Sequence, residues 1–187
     1  MYQYPPTDGA TSSLTTSTTA GDSSLWTIGG ASYGNGQYKA KASITALTSN
    51  TAYAAFDSNV TAGFASGTST GDLTLQMPSA AVVRKYVVWP YDTGTTRPSS
   101  WNLQGSTDGS TWTTLHTVTT TPPSLTGDAQ TLTSFGLYDW YRLNVTANAG
   151  GSGLKVAELA LWGDVGFDVT PTFSDSWTGG TTTVTPY

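Results

Sequence analysis

Short runs of alternating apolar and polar residues, each ended by glycine, proline or a turn sequence, are the dominant feature of this chain. Residues 82–89 are rich in β-branched and aromatic side chains and end at Pro90, and residues 73–77 alternate up to Pro78. Such runs predict β-strands, and no window keeps the period of an amphipathic helix. We therefore predict an all-β sandwich or barrel in which residues 82–89 form a central strand.

The other predicted strands show the same alternation. Asp108 and Gly109 lie between two of them, and Asp-Gly between alternating runs indicates a β-hairpin. Gly163 is expected to end the last strand. The remaining strands are predicted at residues 25–28, 38–44, 101–106, 112–118, 130–132, 140–145 and 156–162.

The two ends of the chain differ from its centre in composition. Residues 1–24 are mostly rich in Thr, Ser and Gly, which predicts an extended N-terminal arm. Residues 164–187 are again polar with isolated aromatic residues, which predicts a C-terminal tail. A length of 187 residues fits one domain, predicted at residues 25–163, between this arm and this tail.

Charge and composition exclude several classes of function. The chain has 7 Lys and Arg against 12 Asp and Glu, so it lacks the basic surface of a nucleic-acid-binding protein. No apolar run approaches the ~20 residues that span a membrane, and the first residues lack the features of a signal peptide. Cysteine is absent, which excludes disulfides and thiolate metal sites. We expect no nucleic-acid partner, no membrane insertion and no export by the usual route.

Three segments of the chain form a recognisable series. They are residues 52–61, with Phe56-Asp57 at the centre; residues 97–112, with a Leu-Gln-Gly-Ser-Thr-Asp-Gly run; and residues 141–146 followed by 156–163. Together they resemble the discoidin family, which includes the coagulation factor V/VIII C-type domains and the related family 32 carbohydrate-binding modules. The resemblance covers roughly residues 25–163. It implies a discoidin-like, or galactose-binding-like, jelly-roll β-sandwich with ligand-binding loops at one end.

The chain also departs from that family at several positions. Phe64 and Ser58 stand where the family usually has Trp and Gly. Residues 64–72 lack the His that galactose-binding members commonly have there, and Tyr91 stands where those members commonly have Arg. The family's typical set of galactose-binding residues is therefore not reproduced.

Glu158 is the only glutamate in the chain and lies among apolar residues, where an unpaired charge is costly. The resemblance implies that Glu158 and the loop around Asp57 hold a structural calcium ion, which prefers six to eight oxygen ligands. The alternative is a metal-free loop in which Glu158 accepts hydrogen bonds from backbone N–H groups. The candidate ligands are the side chains of Asp57, Thr61 and Glu158 and the carbonyls near Phe56, Asn59 and Ala157.

The segment after the central strand has residues suited to a sugar. Trp89, Tyr91, Asp92 and Arg97 combine aromatic rings, which stack on the C–H face of a pyranose, with charged partners for its hydroxyls. The alternative is structural, with Arg97 bracing the loop and Trp89 packed in the core. His116, the only histidine, is expected at the surface or rim rather than as a catalytic base.

We expect a non-catalytic binding or assembly module, because no pattern of an enzyme active site stands out. The first hypothesis is a virion structural protein, as a phage tail, baseplate or head-decoration component. It rests on the hydroxyl-rich ends, the missing export signal and the recurrence of discoidin-like domains in phage tail proteins. Its partners would be other virion proteins, copies of itself and a cell-surface glycan. The alternative is a carbohydrate-binding module of a secreted bacterial protein.

Overall fold

The computed structural model describes residues 1–5, 26–28, 38–47, 51–119 and 125–165. These residues form ten antiparallel strands and one 3₁₀ turn at Ala52–Ala55, and none of their helical segments is long and apolar enough to cross a membrane. The all-β prediction is confirmed. The strands are β1 (Tyr2–Tyr4), β2 (Trp26–Ile28), β3 (Tyr38–Ala42), β4 (Phe64–Ser66), β5 (Gly71–Pro90), β6 (Pro98–Ser106), β7 (Thr113–Val118), β8 (Asp128–Thr131), β9 (Tyr138–Asn148) and β10 (Leu154–Val165).

Strand β5 is central, as predicted, and contributes to both layers of the fold. Its residues 71–76 pair with β3 and β9, and its residues from Ala81 onwards pair with β10 and β8. Two separate strands were expected here, with the first ending at Pro78, and this prediction is wrong. The register of β5 with β9 shifts between Gln76 and Ala81, and Pro78 lies within this shift. Proline has no backbone N–H to donate, and it is tolerated where the ladder of hydrogen bonds is interrupted.

Two layers extend from β5. One layer continues through β9 and β6 to β7, with β3 on the other side of β5. The second layer contains β10, which pairs with β5, β1 and β4. Leu73 and Leu143 of the first layer join Val83 and Leu159 of the second in one buried core, together with the fully buried Trp101.

The chain ends take part in the sheet more than the sequence analysis indicated. Strand β1 was not predicted, yet it pairs with β10 from Gly163 to Leu161 and buries Tyr4. Strand β10 continues to Val165, so the predicted end at Gly163 is wrong. Residues 6–25 and 166–187, which hold most of the predicted arm and tail, lie outside the described residues. The boundaries 1–24, 25–163 and 164–187 stay predictions.

Several loops meet at one end of the sandwich. Pro90 of β5 pairs with Val156 of β10, and Pro98 of β6 pairs with Asn148 of β9. Leu154 also pairs with the last residue of β4. The loops 67–70, 91–97 and 149–153 therefore lie side by side, and the fold places the candidate residues of loop 91–97 there.

Candidate functional site

The backbone of loop 91–97 is held by the neighbouring loop and strand. Gly151 donates a hydrogen bond of 2.9 Å to the carbonyl of Thr95, and Lys155 donates one of 2.9 Å to the carbonyl of Thr96. A side chain on Gly151 would clash with Thr95, since an added Cβ would lie 2.9 Å from its backbone carbonyl oxygen. The two loops are thus closely packed, and the side chains of loop 91–97 stand on a fixed backbone.

Tyr91, Asp92 and Lys155 form one half-buried cluster on these loops. The Lys155 Nζ atom lies 3.3 Å from Asp92 Oδ2 and 5.3 Å from the centroid of the Tyr91 ring. Asp92 Oδ1 accepts a hydrogen bond of 2.7 Å from the backbone N–H of Gly94. The cluster presents an aromatic ring, a carboxylate and an ammonium group at one place on the loop end.

Sequence reasoning did not find Lys155, which lies 63 residues after Asp92 in the chain. The antiparallel pairing of β10 with β5 and β4 brings Lys155 to the loop. A local sequence pattern does not predict such a long-range pairing. Lys155 lies on a β10 segment next to Val156, whose register partner is Pro90. The long-range pairing of β10 therefore completes the cluster.

Arg97 and Trp89 make different contacts from those of the cluster. The Arg97 Nη1 atom donates a hydrogen bond of 3.1 Å to the carbonyl of Thr93, which braces the loop from within. Trp89 lies on strand β5, where its ring centroid is 6.3 Å from that of Trp162. Gly127 packs so closely on the Trp89 indole that an added Cβ would lie 2.7 Å from Nε1. Of the four predicted sugar-binding residues, the structure groups Tyr91 and Asp92 with Lys155.

Glu158 is almost completely buried beside loop 56–61, with 1% of its surface exposed. Its Oε2 atom accepts a hydrogen bond of 3.1 Å from the backbone N–H of Ser58, while its Oε1 atom has no partner among the described residues. Burial raises the pKa of Glu158 to about 8, and the negative charge of Asp57 contributes to this rise. The site therefore holds a carboxyl group with one unsatisfied oxygen.

The other candidate calcium ligands lie on the same loop. Burial also raises the pKa of Asp57, whose Oδ1 atom accepts a hydrogen bond of 2.9 Å from the Asn59 N–H. Thr61 donates from Oγ1 to Asn59 Oδ1 at 2.8 Å. Phe56 and Ala157 are buried.

The donor set is compatible with calcium. Two desolvated carboxylates repel each other, and a cation between them would relieve that repulsion and satisfy the free oxygen of Glu158. The described residues contain no group of three or more His, Cys, Asp or Glu side chains that could hold a metal. Carbonyl and hydroxyl oxygens of Phe56, Asn59, Thr61 and Ala157 would have to complete the coordination. The calcium site stays a prediction.

Comparison with known proteins gives matches among solved structures. A family 32 carbohydrate-binding module of NanJ from C. perfringens, in complex with galactose, matches 66% of this chain and 92% of its own, with 17% identity and a TM-score of 0.58. Chitosan-binding module 1 of a chitosanase/glucanase from Paenibacillus sp. IK-5 matches 66% of this chain and 93% of its own, with 26% identity and a TM-score of 0.56. The chain has the discoidin-like β-sandwich fold. No protein-family model and no curated protein matches it.

The discoidin-like fold also occurs inside larger enzymes. A family 89 glycoside hydrolase from Clostridium perfringens matches 68% of this chain with 17% identity and a TM-score of 0.59. The match covers 14% of that enzyme's chain, so it concerns a small part of it. The predicted discoidin-like sandwich is confirmed by these neighbours, whereas the predicted phage origin gains no support from them.

Proposed function

We propose that this discoidin-like domain is a non-catalytic carbohydrate-binding module whose ligand binds at the loop end of the sandwich. The observation that carries the proposal is the cluster of Tyr91, Asp92 and Lys155 on loops that the backbone holds in place. The fold supports it, because the matching modules include one in complex with galactose and one described as chitosan-binding.

The chemistry of the cluster suits a pyranose ring. The Tyr91 ring offers apolar surface for the C–H face of a sugar, and aromatic contacts of this kind depend on burying that face. Asp92 accepts hydrogen bonds from hydroxyls, and Lys155 donates to their oxygens. Because Asp92 and Lys155 are already paired at 3.3 Å, a ligand meets side chains whose positions are partly fixed.

Glu158 has one property of a catalytic acid but not the position of one. A carboxylic acid that keeps its proton near neutral pH is suited to donate it to a leaving group. With 1% of its surface exposed, however, Glu158 does not reach a ligand at the surface. Its place on strand β10, against loop 56–61, fits a structural role instead.

Calcium would act in this proposal as a structural ion. Asp57, Thr61 and Glu158, with carbonyls of Phe56, Asn59 and Ala157, would hold it and so pin loop 56–61 against β10. The charge of the ion would stabilise the ionised forms of Asp57 and Glu158. The ligand itself would be bound by Tyr91, Asp92 and Lys155 at the loop end, and not by the ion.

The carbohydrate-binding alternative is better supported than the virion hypothesis. The named neighbours are carbohydrate-binding modules or an enzyme that acts on glycosides. Assembly into a particle finds no support among them. The location, in a virion or as part of a secreted protein, stays a prediction.

A glycan array with matched variants tests this function. The wild-type domain should bind a defined set of glycans, and Tyr91→Ala should weaken that binding about tenfold or more, since a lost aromatic contact of ~1.4 kcal/mol has that effect. Phe135→Ala is the control, because Phe135 is 47% exposed but lies against Arg84, away from the loops. Absence of any glycan binding by the wild type, or equal binding by Tyr91→Ala, would contradict the proposal.

A further inference from the structure

The outer face of the first layer carries a row of polar side chains that does not belong to the loop end. Lys41 of β3 pairs with Thr74 of β5, Thr74 pairs with Arg142 of β9, and Arg142 pairs with Gln104 of β6. Cross-strand partners project from the same face of a sheet. The four side chains therefore form a line across four strands.

This row borders a cleft of about 130 Å³. A site needs roughly 10–15 Å³ to hold one water molecule, so the cleft has room for a group of the size of a sugar ring. The side chains that matter to its chemistry are Lys41, Ser43, Asp72, Thr74, Trp112 and Arg142.

Arg142 and Asp72 form a braced pair in the cleft. The Arg142 Nη1 atom lies 3.2 Å from Asp72 Oδ2, and Arg142 Nε donates to Gln104 Oε1 at 2.6 Å. Asn144 Nδ2 donates to Asp72 Oδ1 at 2.6 Å. The guanidinium carbon lies 4.2 Å from the centroid of the Trp112 ring. Both charged side chains are thus fixed before any ligand arrives.

The wall of the cleft at Trp112 is held by a hydrogen-bonded turn. Asp108 Oδ1 accepts from the backbone N–H groups of Ser110 at 2.8 Å and Thr111 at 2.6 Å. This turn fixes the backbone that leads into Trp112. An indole at the wall gives the cleft apolar surface as well as polar groups.

The charge of the cleft is opposite to that of the whole chain. The net charge of the chain is −5, but the cleft combines Lys41 and Arg142 with one carboxylate, Asp72. Asp72 is neutralised by Arg142, and Lys41 has no ion pair with any described carboxylate. Lys39 lies two positions before Lys41 on the same face of β3. A ligand here meets an excess positive charge, which favours an anion.

We propose that this cleft is a second ligand site, which binds one acidic pyranose unit, a sugar ring that carries a carboxylate. Lys41 pairs with the carboxylate of the sugar, and Trp112 packs against the apolar part of its ring. Asp72 accepts hydrogen bonds from its hydroxyls, and the Ser43 hydroxyl exchanges hydrogen bonds with them. The site is separate from the cluster of Tyr91, Asp92 and Lys155, and it would select acidic over neutral sugars.

Nuclear magnetic resonance of the full chain tests this site, with glucuronic acid as the probe and glucose as its neutral counterpart. Glucuronic acid should shift the indole N–H signal of Trp112 in a saturable manner, and glucose should bind at least about tenfold more weakly. Lys41→Gln should lower the affinity for glucuronic acid at least about fivefold. Trp112→Ala lacks the indole signal, so binding is followed there through the backbone amide signals of residues 41–43, and it should be abolished. Lys85→Gln is the matched control, because Lys85 lies over Trp162 in the other layer.

The variants also separate this site from the loop end. Tyr91→Ala should leave glucuronic acid binding unchanged. If Tyr91→Ala abolishes it while Trp112→Ala does not, the acidic sugar binds at the loop end, and this proposal fails while the proposed function stands. An unmoved Trp112 signal in the wild type, or wild-type affinity in Lys41→Gln, would also overturn it.

Discussion

The backbone N–H of Ser58 donates a hydrogen bond of 3.1 Å to Oε2 of Glu158, one hundred residues further along the chain. This bond ties the loop after the 3₁₀ turn to strand β10. Ser58 makes it with a φ of 64°, in the left-handed region that favours glycine. Glu158 makes it as a buried acid whose second oxygen has no partner among the described residues. Both residues therefore carry a local energetic cost that substitutions can reveal.

The buried acid predicts a pH-dependent stability in the absence of metal. The folded pKa of Glu158 is about 8, raised from 4.5 by burial and by Asp57. The stabilisation by the bound proton is complete below about pH 4.5 and is lost as the pH rises towards 8. We expect the free energy of unfolding, measured by urea denaturation with chelator, to fall by roughly 2–4 kcal/mol between pH 5 and pH 8. Glu158→Gln should lose most of this dependence, and a variant that keeps it in full would refute the assignment.

Calcium bound at the predicted site should offset the loss of stability that the ionised Glu158 causes at higher pH. We expect the wild-type melting temperature to be higher with calcium than with chelator, and the difference to grow from pH 6 to pH 8 because ligand carboxylates must lose their protons. Glu158→Gln should abolish the difference. Asp139→Asn should retain it, because Asp139 lies at the start of β9, away from loop 56–61. A wild-type melting temperature that calcium leaves unchanged would exclude the site.

The left-handed backbone at Ser58 predicts a stabilising substitution. Ser58→Gly should raise the free energy of unfolding by about 0.5–1 kcal/mol, because glycine adopts a positive φ without the cost that a Cβ brings. Ser134→Gly provides the comparison: Ser134 is exposed and has no positive φ, so glycine there should give no gain. Thermal or urea denaturation measures both, and a destabilised Ser58→Gly would argue against strain at this position.

A hydrogen-bond chain links Trp101 and Tyr86 of the core to the half-buried His116. Trp101 Nε1 donates to the Tyr86 hydroxyl at 3.0 Å, and that hydroxyl lies 2.8 Å from His116 Nδ1. Tyr86→Phe leaves the indole N–H without a partner, so we expect a loss of about 1–3 kcal/mol in urea denaturation. Tyr53→Phe, at a half-buried tyrosine outside this chain of bonds, should cost under about 0.5 kcal/mol. Equal effects of the two substitutions would show that the bond chain contributes little.

Local sequence rules located much of the fold. The Asp108-Gly109 pair predicted the hairpin between β6 and β7, and Gly109 has a positive φ of 69° in the loop 107–112 that joins them. The same rules wrongly predicted that a strand ends at Pro78. Proline is tolerated inside β5 because the register between β5 and β9 shifts there, and this shift depends on a strand that is distant in the sequence. Strand β4, only three residues long, gave no alternating pattern to detect.

The candidate site depends on pairings that local rules do not reach. Tyr91 and Asp92 could be found from their place after an apolar strand, but their partner Lys155 comes from β10. Arg142 and Asp72 are likewise 70 residues apart and meet because β9 and β5 are neighbours. Sequence patterns identified the side chains of one loop, and the order of strands decided which side chains they meet.

The most direct test of the carbohydrate-binding role is an amide chemical-shift map of the domain, recorded with a neutral glycan that the wild-type domain binds on the glycan array. We predict that the shifts concentrate in residues 91–97 and 149–155 and disappear in Tyr91→Ala. Saturable shifts confined to another surface, or no shifts with any glycan, would contradict the assignment of the loop end as the carbohydrate site.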